Sequence, residues 1–128
     1  MKGLLIYNED DAKINTDYID WIIISASKLG MDLKLIYSND FFAHGLRKEY
    51  KNIDFAINRS RNYNLSLTLE LSDYRVFNNS EVTLLGNNKL AAYRYAKLRG
   101  YKYAWVLASW EDEKELMTKP VSDHGGKG

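Results

Sequence analysis

Short apolar runs and longer amphipathic stretches take turns along this chain, and that alternation predicts an α/β fold: a parallel sheet with crossover helices. The first run, residues 3–8, holds Leu4-Leu5-Ile6-Tyr7 without a polar break, as a strand covered on both faces requires. The polar stretch 8–15 reads as a loop at the C-terminal end of that strand. Asn15 or Thr16 then caps a helix whose first turn carries Asp17 and Asp20 and whose end is marked by Lys28 and Gly30. Its core face is expected to hold Tyr18, Ile22, Ala26 and Leu29, with Ile19 and Ile23 beside them. A second strand follows at 33–37, a loop with a short helix at 38–50, and a third strand at 55–58 that ends in the basic turn Arg59-Ser60-Arg61.

Leu65, Leu67, Leu69 and Leu71 alternate like a strand, but Tyr63, Leu67, Glu70 and Leu71 also fit a helix. A parallel sheet needs a crossover there, so a helix is expected. A fourth strand at 75–77 leads to a helical turn at 80–84. Asn87 caps a helix over 88–99 closed by Gly100, and strands are expected at 101–108 and 116–120, the latter carrying Lys119. Residues 109–115 fit a turn or a short helix. The change of pattern near Gly86 suggests two parts, a three-layer Rossmann-like α/β domain at 1–86 and an incomplete segment at 87–128.

Composition narrows the function classes. At 128 residues, 45% hydrophobic and 27% charged with one proline, the chain is globular rather than disordered. A formal net charge of +1 gives no case for nucleic acid as a partner. No apolar stretch is long enough to span a bilayer, so no membrane partner is expected. The absence of cysteine excludes disulfides and thiolate metal sites and suits a cytoplasmic protein. Two isolated histidines assemble no metal cluster. Homo-oligomerisation is left open.

Three segments carry candidate chemistry. Gly86-Asn87-Asn88-Lys89 opens a helix, where unpaired N–H groups and the positive end of the dipole favour an anion. An ordinary asparagine cap beside a solvated lysine is the plainer reading of the same residues. Lys119 precedes a turn and Gly125-Gly126-Lys127-Gly128, where glycines allow backbone N–H groups to converge on a phosphate. This is not a P-loop: Val121 stands where the first glycine belongs, and Gly128 where Ser or Thr should follow the lysine. The third segment is the rim at the strand C-termini: Asn8, Asn15, Arg59, Ser60 and Arg61. Ligands gather at that edge of parallel sheets, and Asn8, Arg59 and Arg61 could hold a substrate carboxylate. The competing reading is a solvated turn, or arginines paired with Glu9, Asp10 or Asp11.

In order and spacing, Val76-Phe77-Asn78-Asn79, Asn87-Asn88-Lys89-Leu90-Ala91-Ala92-Tyr93 and Lys119 through Gly128 resemble the ATP-grasp superfamily. The preceding α/β part looks like its pre-ATP-grasp domain, and the whole is most similar to the alpha-L-glutamate ligase and glutathione synthetase-like branch. The resemblance implies ATP and Mg as cofactors and a small-molecule carboxylate substrate, activated as an acyl phosphate and attacked by an amine or thiol. It implies that Lys89 and Lys119 contact ATP phosphates and that Gly125, Gly126, Lys127 and Gly128 form the flap above them. The family's Mg ligands have no counterpart here, so the chain is expected to be an inactive N-terminal fragment of such a ligase. A free-standing nucleotide- or anion-binding domain is the alternative, although no Gly-x-Gly-x-x-Gly follows the first strand. A phosphorelay receiver is disfavoured because Asn58 stands where a phosphoacceptor aspartate is needed.

Overall fold

The computed structural model describes residues 1–44, 50 and 52–102. Four parallel strands form one sheet in the order β2-β1-β3-β4. They are β1 (Lys2–Tyr7), β2 (Asp32–Tyr37), β3 (Phe55–Asn58) and β4 (Arg75–Phe77). Their connections contain α1 (Glu9–Ile14), α2 (Thr16–Lys28), α3 (Ser38–His44) and α4 (Tyr63–Glu70). The α/β class and the parallel sheet agree with the sequence reading, and the arrangement is Rossmann-like.

Each strand sends alternate side chains to opposite faces, and the two cores follow from that period. Leu4, Ile6, Ile36, Ala56 and Val76 pack with Phe41 of α3 and with Leu65 and Leu69 of α4. Leu5, Tyr7, Leu33 and Phe55 pack on the other side with Ala12 of α1 and with Ile19 and Ala26 of α2. Helices therefore cover both faces, giving three layers. At Gly3, paired with Phe55 across the β1–β3 ladder, an added Cβ would lie 2.5 Å from the Phe55 ring. The aromatic ring occupies the space a side chain would need, which is why the strand interior tolerates a glycine there.

Three local expectations are corrected. The stretch 8–15 is not a loop: it contains α1, whose N-cap Asn8 accepts the Asp11 N–H at 2.8 Å and whose first turn is Glu9, Asp10 and Asp11. In α2 the inward face is Ile19, Ile22, Ile23 and Ala26, whereas Tyr18 and Leu29 are exposed. Tyr18, Trp21 and Ile24 carry apolar side chains beyond the inward face, so periodicity alone does not select the side facing the sheet. In α4 the buried residues are Leu65, Ser66 and Leu69, while Leu67 and Leu71 face solvent. Gly30, at φ 73°, closes α2 in the left-handed conformation expected of it.

The chain divides into two units, Met1–Ser80 and Glu81–Gly128. The division falls at the start of α5 (Ser80–Asn87), ahead of the Gly86 boundary expected from sequence. The second unit continues with α6 (Lys89–Leu98), capped by Asn88 rather than Asn87: the Asn88 Oδ1 accepts the Ala91 N–H at 2.9 Å. Asn87 instead ends α5, its amide donating to the Thr83 carbonyl at 2.8 Å. No described helix is long and apolar enough to cross a membrane.

Candidate functional site

The chain passes from β1 to β2 on one side of β1 and returns to β3 on the other, so the connections diverge between β1 and β3. At such a switch point the loops leaving the two strand ends part and open a crevice, the usual ligand position in open parallel sheets. The β1–α1 junction and the β3–α4 turn border it. They carry Asn8, Asp11, Arg59, Ser60 and Arg61.

A buried cluster shapes the β3–α4 turn. Asn58, at the end of β3, uses its whole amide: Nδ2 donates to the Asn62 carbonyl at 2.9 Å and to Ser66 Oγ at 2.8 Å. Its Oδ1 accepts the Ser60 N–H at 2.9 Å and the Ser60 hydroxyl at 2.6 Å. Ser66 in turn donates to the Asn78 carbonyl at 3.0 Å, fastening the segment after β4 to α4. Asn58, Ser60 and Ser66 are all buried, so each of these bonds offsets the cost of removing a polar group from water. The Asn62 side chain accepts the Asn64 N–H and opens α4.

This fixed turn presents Arg61. Its backbone is left-handed, at φ 63°, an uncommon conformation for a residue with a side chain. The guanidinium donates to Asp11 Oδ2, and the same oxygen accepts from the Asn8 amide at 2.6 Å. Asp11 thus joins two of the predicted carboxylate-binding residues, with the Arg61 and Asp11 side chains about 31% and 24% exposed. A half-open ion pair of this kind keeps part of its charge in water. An incoming carboxylate can compete with Asp11 for the guanidinium, whose fork accommodates carboxylate oxygens in pairs.

Arg59 is exposed and lies with its guanidinium carbon 5.7 Å from the Tyr18 ring centroid, a cation–π contact with α2. Its backbone N–H donates to the Ile6 carbonyl at 2.7 Å, which ties the turn to β1. Asn15 donates to the Asp11 carbonyl at 2.7 Å and serves the α1–α2 junction. Beyond the rim, Glu70 accepts both the Ser80 N–H at 2.8 Å and the Ser80 hydroxyl at 2.5 Å, holding the start of α5.

Within the second unit, Lys89 is the first residue of α6, directly after the Asn88 cap. A cation at that end of a helix is chemically suited to a phosphate, although the cap already satisfies one of the exposed N–H groups. Lys119, Gly125, Gly126, Lys127 and Gly128 lie outside the described residues. Among the described residues, no group of three or more His, Asp or Glu could hold a metal ion.

Sequence reasoning offered Asp11 among three acidic partners for the arginines without selecting it, and the structure shows that pairing at Arg61; it missed Asn58 as the organiser of the turn. The Asp11 contact joins positions 50 residues apart, which no local pattern reveals. The buried Asn58 carried a signal, a polar residue ending an otherwise apolar strand.

No family model matches the chain. Over 120 residues, 94% of its length, it is 25% identical to a Mycoplasma pneumoniae protein described as "Uncharacterized protein MG011 homolog". The match covers 41% of that protein, so the chain spans about two-fifths of the length of the curated relative.

Proposed function

We propose that this chain is the N-terminal part of an ATP-dependent carboxylate–amine ligase of the ATP-grasp type, with the switch-point rim of Met1–Ser80 receiving the substrate carboxylate. The supporting observation is the placement of Arg61. Two loops remote in sequence meet at the expected ligand edge, and the guanidinium there is held by a carboxylate that a substrate can replace. The motif order from Val76 through Lys89 to Gly128 supports the ATP-grasp assignment, and the greater length of the relative accords with a longer protein.

Arg61 and Asn8 bind and orient the carboxylate in this reading, while Arg59 adds positive potential at the rim. Lys89, with Lys119 and residues 125–128, neutralises phosphate. ATP with Mg, when bound, supplies the phosphoryl group that activates the carboxylate. Positioning and charge neutralisation account for most of the chemistry of such a transfer.

The test is ADP release by the longer protein, with L-glutamate and other small carboxylates as probes and ammonia or an amine as acceptor. ADP release should require both a carboxylate and the acceptor, and Arg61→Ala should raise KM for the carboxylate more than it lowers kcat. ADP release indifferent to every carboxylate would overturn the reading, as would full ATP turnover by the 128-residue chain. The α/β unit Met1–Ser80 has its own sheet and two covered faces, which favours one second reading: an anion- or nucleotide-binding domain without catalysis. Saturable binding of phosphate or ATP by the longer protein, with no turnover under any condition, would select it.

A further inference from the structure

The outer face of α2 carries a pattern that the sheet does not use. Ile19, Ile22, Ile23 and Ala26 face the sheet. Diametrically opposite, at the spacing i, i+4, i+7, i+11, stand Asp17, Trp21, Ile24 and Lys28, all exposed. Trp21 and Ile24 are 62% and 56% exposed, an arrangement with two large apolar side chains at the middle of the stripe. An acid closes one end and a base the other. Tyr18 flanks the stripe, its ring 5.8 Å from that of Trp21 and stacked in turn by Arg59, so the aromatic pair is held in place before any contact forms. Among the described residues, neither Asp17 nor Lys28 has an ion-pair partner.

This stripe is complementary to itself when reversed. Two copies of α2 laid antiparallel about a two-fold axis between residues 22 and 23 place Trp21 on the partner's Ile24 and Asp17 opposite the partner's Lys28. Every contact then occurs twice, as an isologous interface demands. The antiparallel arrangement also sets opposite helix dipoles side by side, and the i, i+4, i+7, i+11 spacing is the seam along which helices pack at shallow angles. A parallel arrangement would face acid with acid and base with base. We propose that the chain forms a symmetric dimer through α2, and that the occupant of this face is a second copy of the same chain.

The experiment is sedimentation equilibrium of the 128-residue chain over a concentration series from micromolar to submillimolar. A reversible monomer–dimer equilibrium is expected. Trp21→Glu should raise the dimer dissociation constant by roughly thirtyfold or more, because buried tryptophan anchors dominate small interfaces. Ile24→Arg should act in the same direction. Both positions are exposed in the monomer, so circular dichroism should show unchanged folding.

Asp17→Lys and Lys28→Asp should each weaken the dimer, and combining them in one chain should restore it, a rescue specific to the antiparallel register. A monomer at every concentration would overturn the proposal and point to a segment of a longer chain as the cover of α2. A dimer indifferent to Trp21→Glu and Ile24→Arg, or one that the combined charge reversal does not restore, would overturn it equally.

Discussion

Two polar clusters meet at the C-terminal edge of the sheet, and they differ in how far water reaches them. Asn58, Ser60 and Ser66 are buried, and the Asn58 amide uses every donor and acceptor it has. Asn8, Asp11 and Arg61, one residue further along the same turn, stay partly exposed and are built around an ion pair. The first cluster is expensive to disturb because water cannot replace a lost partner. The second is cheap to disturb because water can. Under the proposed function, stability and ligand exchange fall to neighbouring side chains: one set fixes the turn, and the other remains able to trade partners.

The sharpest way to break this comparison is Asn58→Ala. It strips partners from Ser60, Ser66 and the Asn62 carbonyl in a place without water, and should cost about 3 kcal/mol in unfolding free energy measured by urea titration. Ser66→Ala removes one bond to Asn58 and one to the Asn78 carbonyl, and about 1.5 kcal/mol is expected by the same measurement. If either variant unfolds at the wild-type denaturant midpoint, the buried cluster is not what fixes the turn.

How these clusters relate to the sequence shows which signals are local. Strands β1 and β3 and helix α4 are legible because a parallel sheet demands apolar runs joined by crossovers, and Leu4 through Tyr7 can hardly be anything else. Helix α1 was missed because it has little apolar periodicity, burying only Ala12. Its true signal was an asparagine followed by three acids, a capped and dipole-matched start. The α6 cap fell one residue away from its expected place because Asn87 and Asn88 are chemically identical, and only their bonds, to Thr83 and to Ala91, distinguish them. Of the candidate site, the rim was readable as an edge, since loops after parallel strands gather there. An arginine paired with Glu9, Asp10 or Asp11 was readable as the competing account of that edge, but the choice of Arg61 with Asp11 was not, because the topology decides it.

The ion pair itself is the next prediction. Arg61→Ala and Asp11→Ala should each cost about 1 kcal/mol, as expected of a partly exposed pair, and a double-mutant cycle should return a coupling of that order or less. Their effects on ligand should diverge. Under the proposed function, Arg61→Ala should weaken carboxylate binding about tenfold or more, whereas Asp11→Ala removes the competitor and should strengthen it. The two variants moving affinity in the same direction, read by titration with L-glutamate, would show that Asp11 shapes the site rather than competing for it.

The smallest expected effect lies on the outside of α1, where Lys13 sits 3.2 Å from Glu9 and 3.7 Å from Asp10. The hydrogen bond and charge of Glu9, reinforced by Asp10, raise the Lys13 pKa above its ordinary 10.5. A folded-state value raised above the unfolded one stabilises the protein below the unfolded pKa, and that contribution fades as pH climbs through the raised value. Any loss therefore belongs to strongly alkaline solution and none to acid. The group is fully solvated, so salt should screen most of the effect. Following Lys13 by NMR, the titration midpoint should fall toward 10.5 in Glu9→Gln and in concentrated salt, while Lys13→Gln at neutral pH should lose only the small, salt-sensitive contribution of an exposed pair. A Lys13→Gln chain as unstable as Asn58→Ala would mean that solvent exposure does not separate the polar groups that hold this edge from those that merely line it.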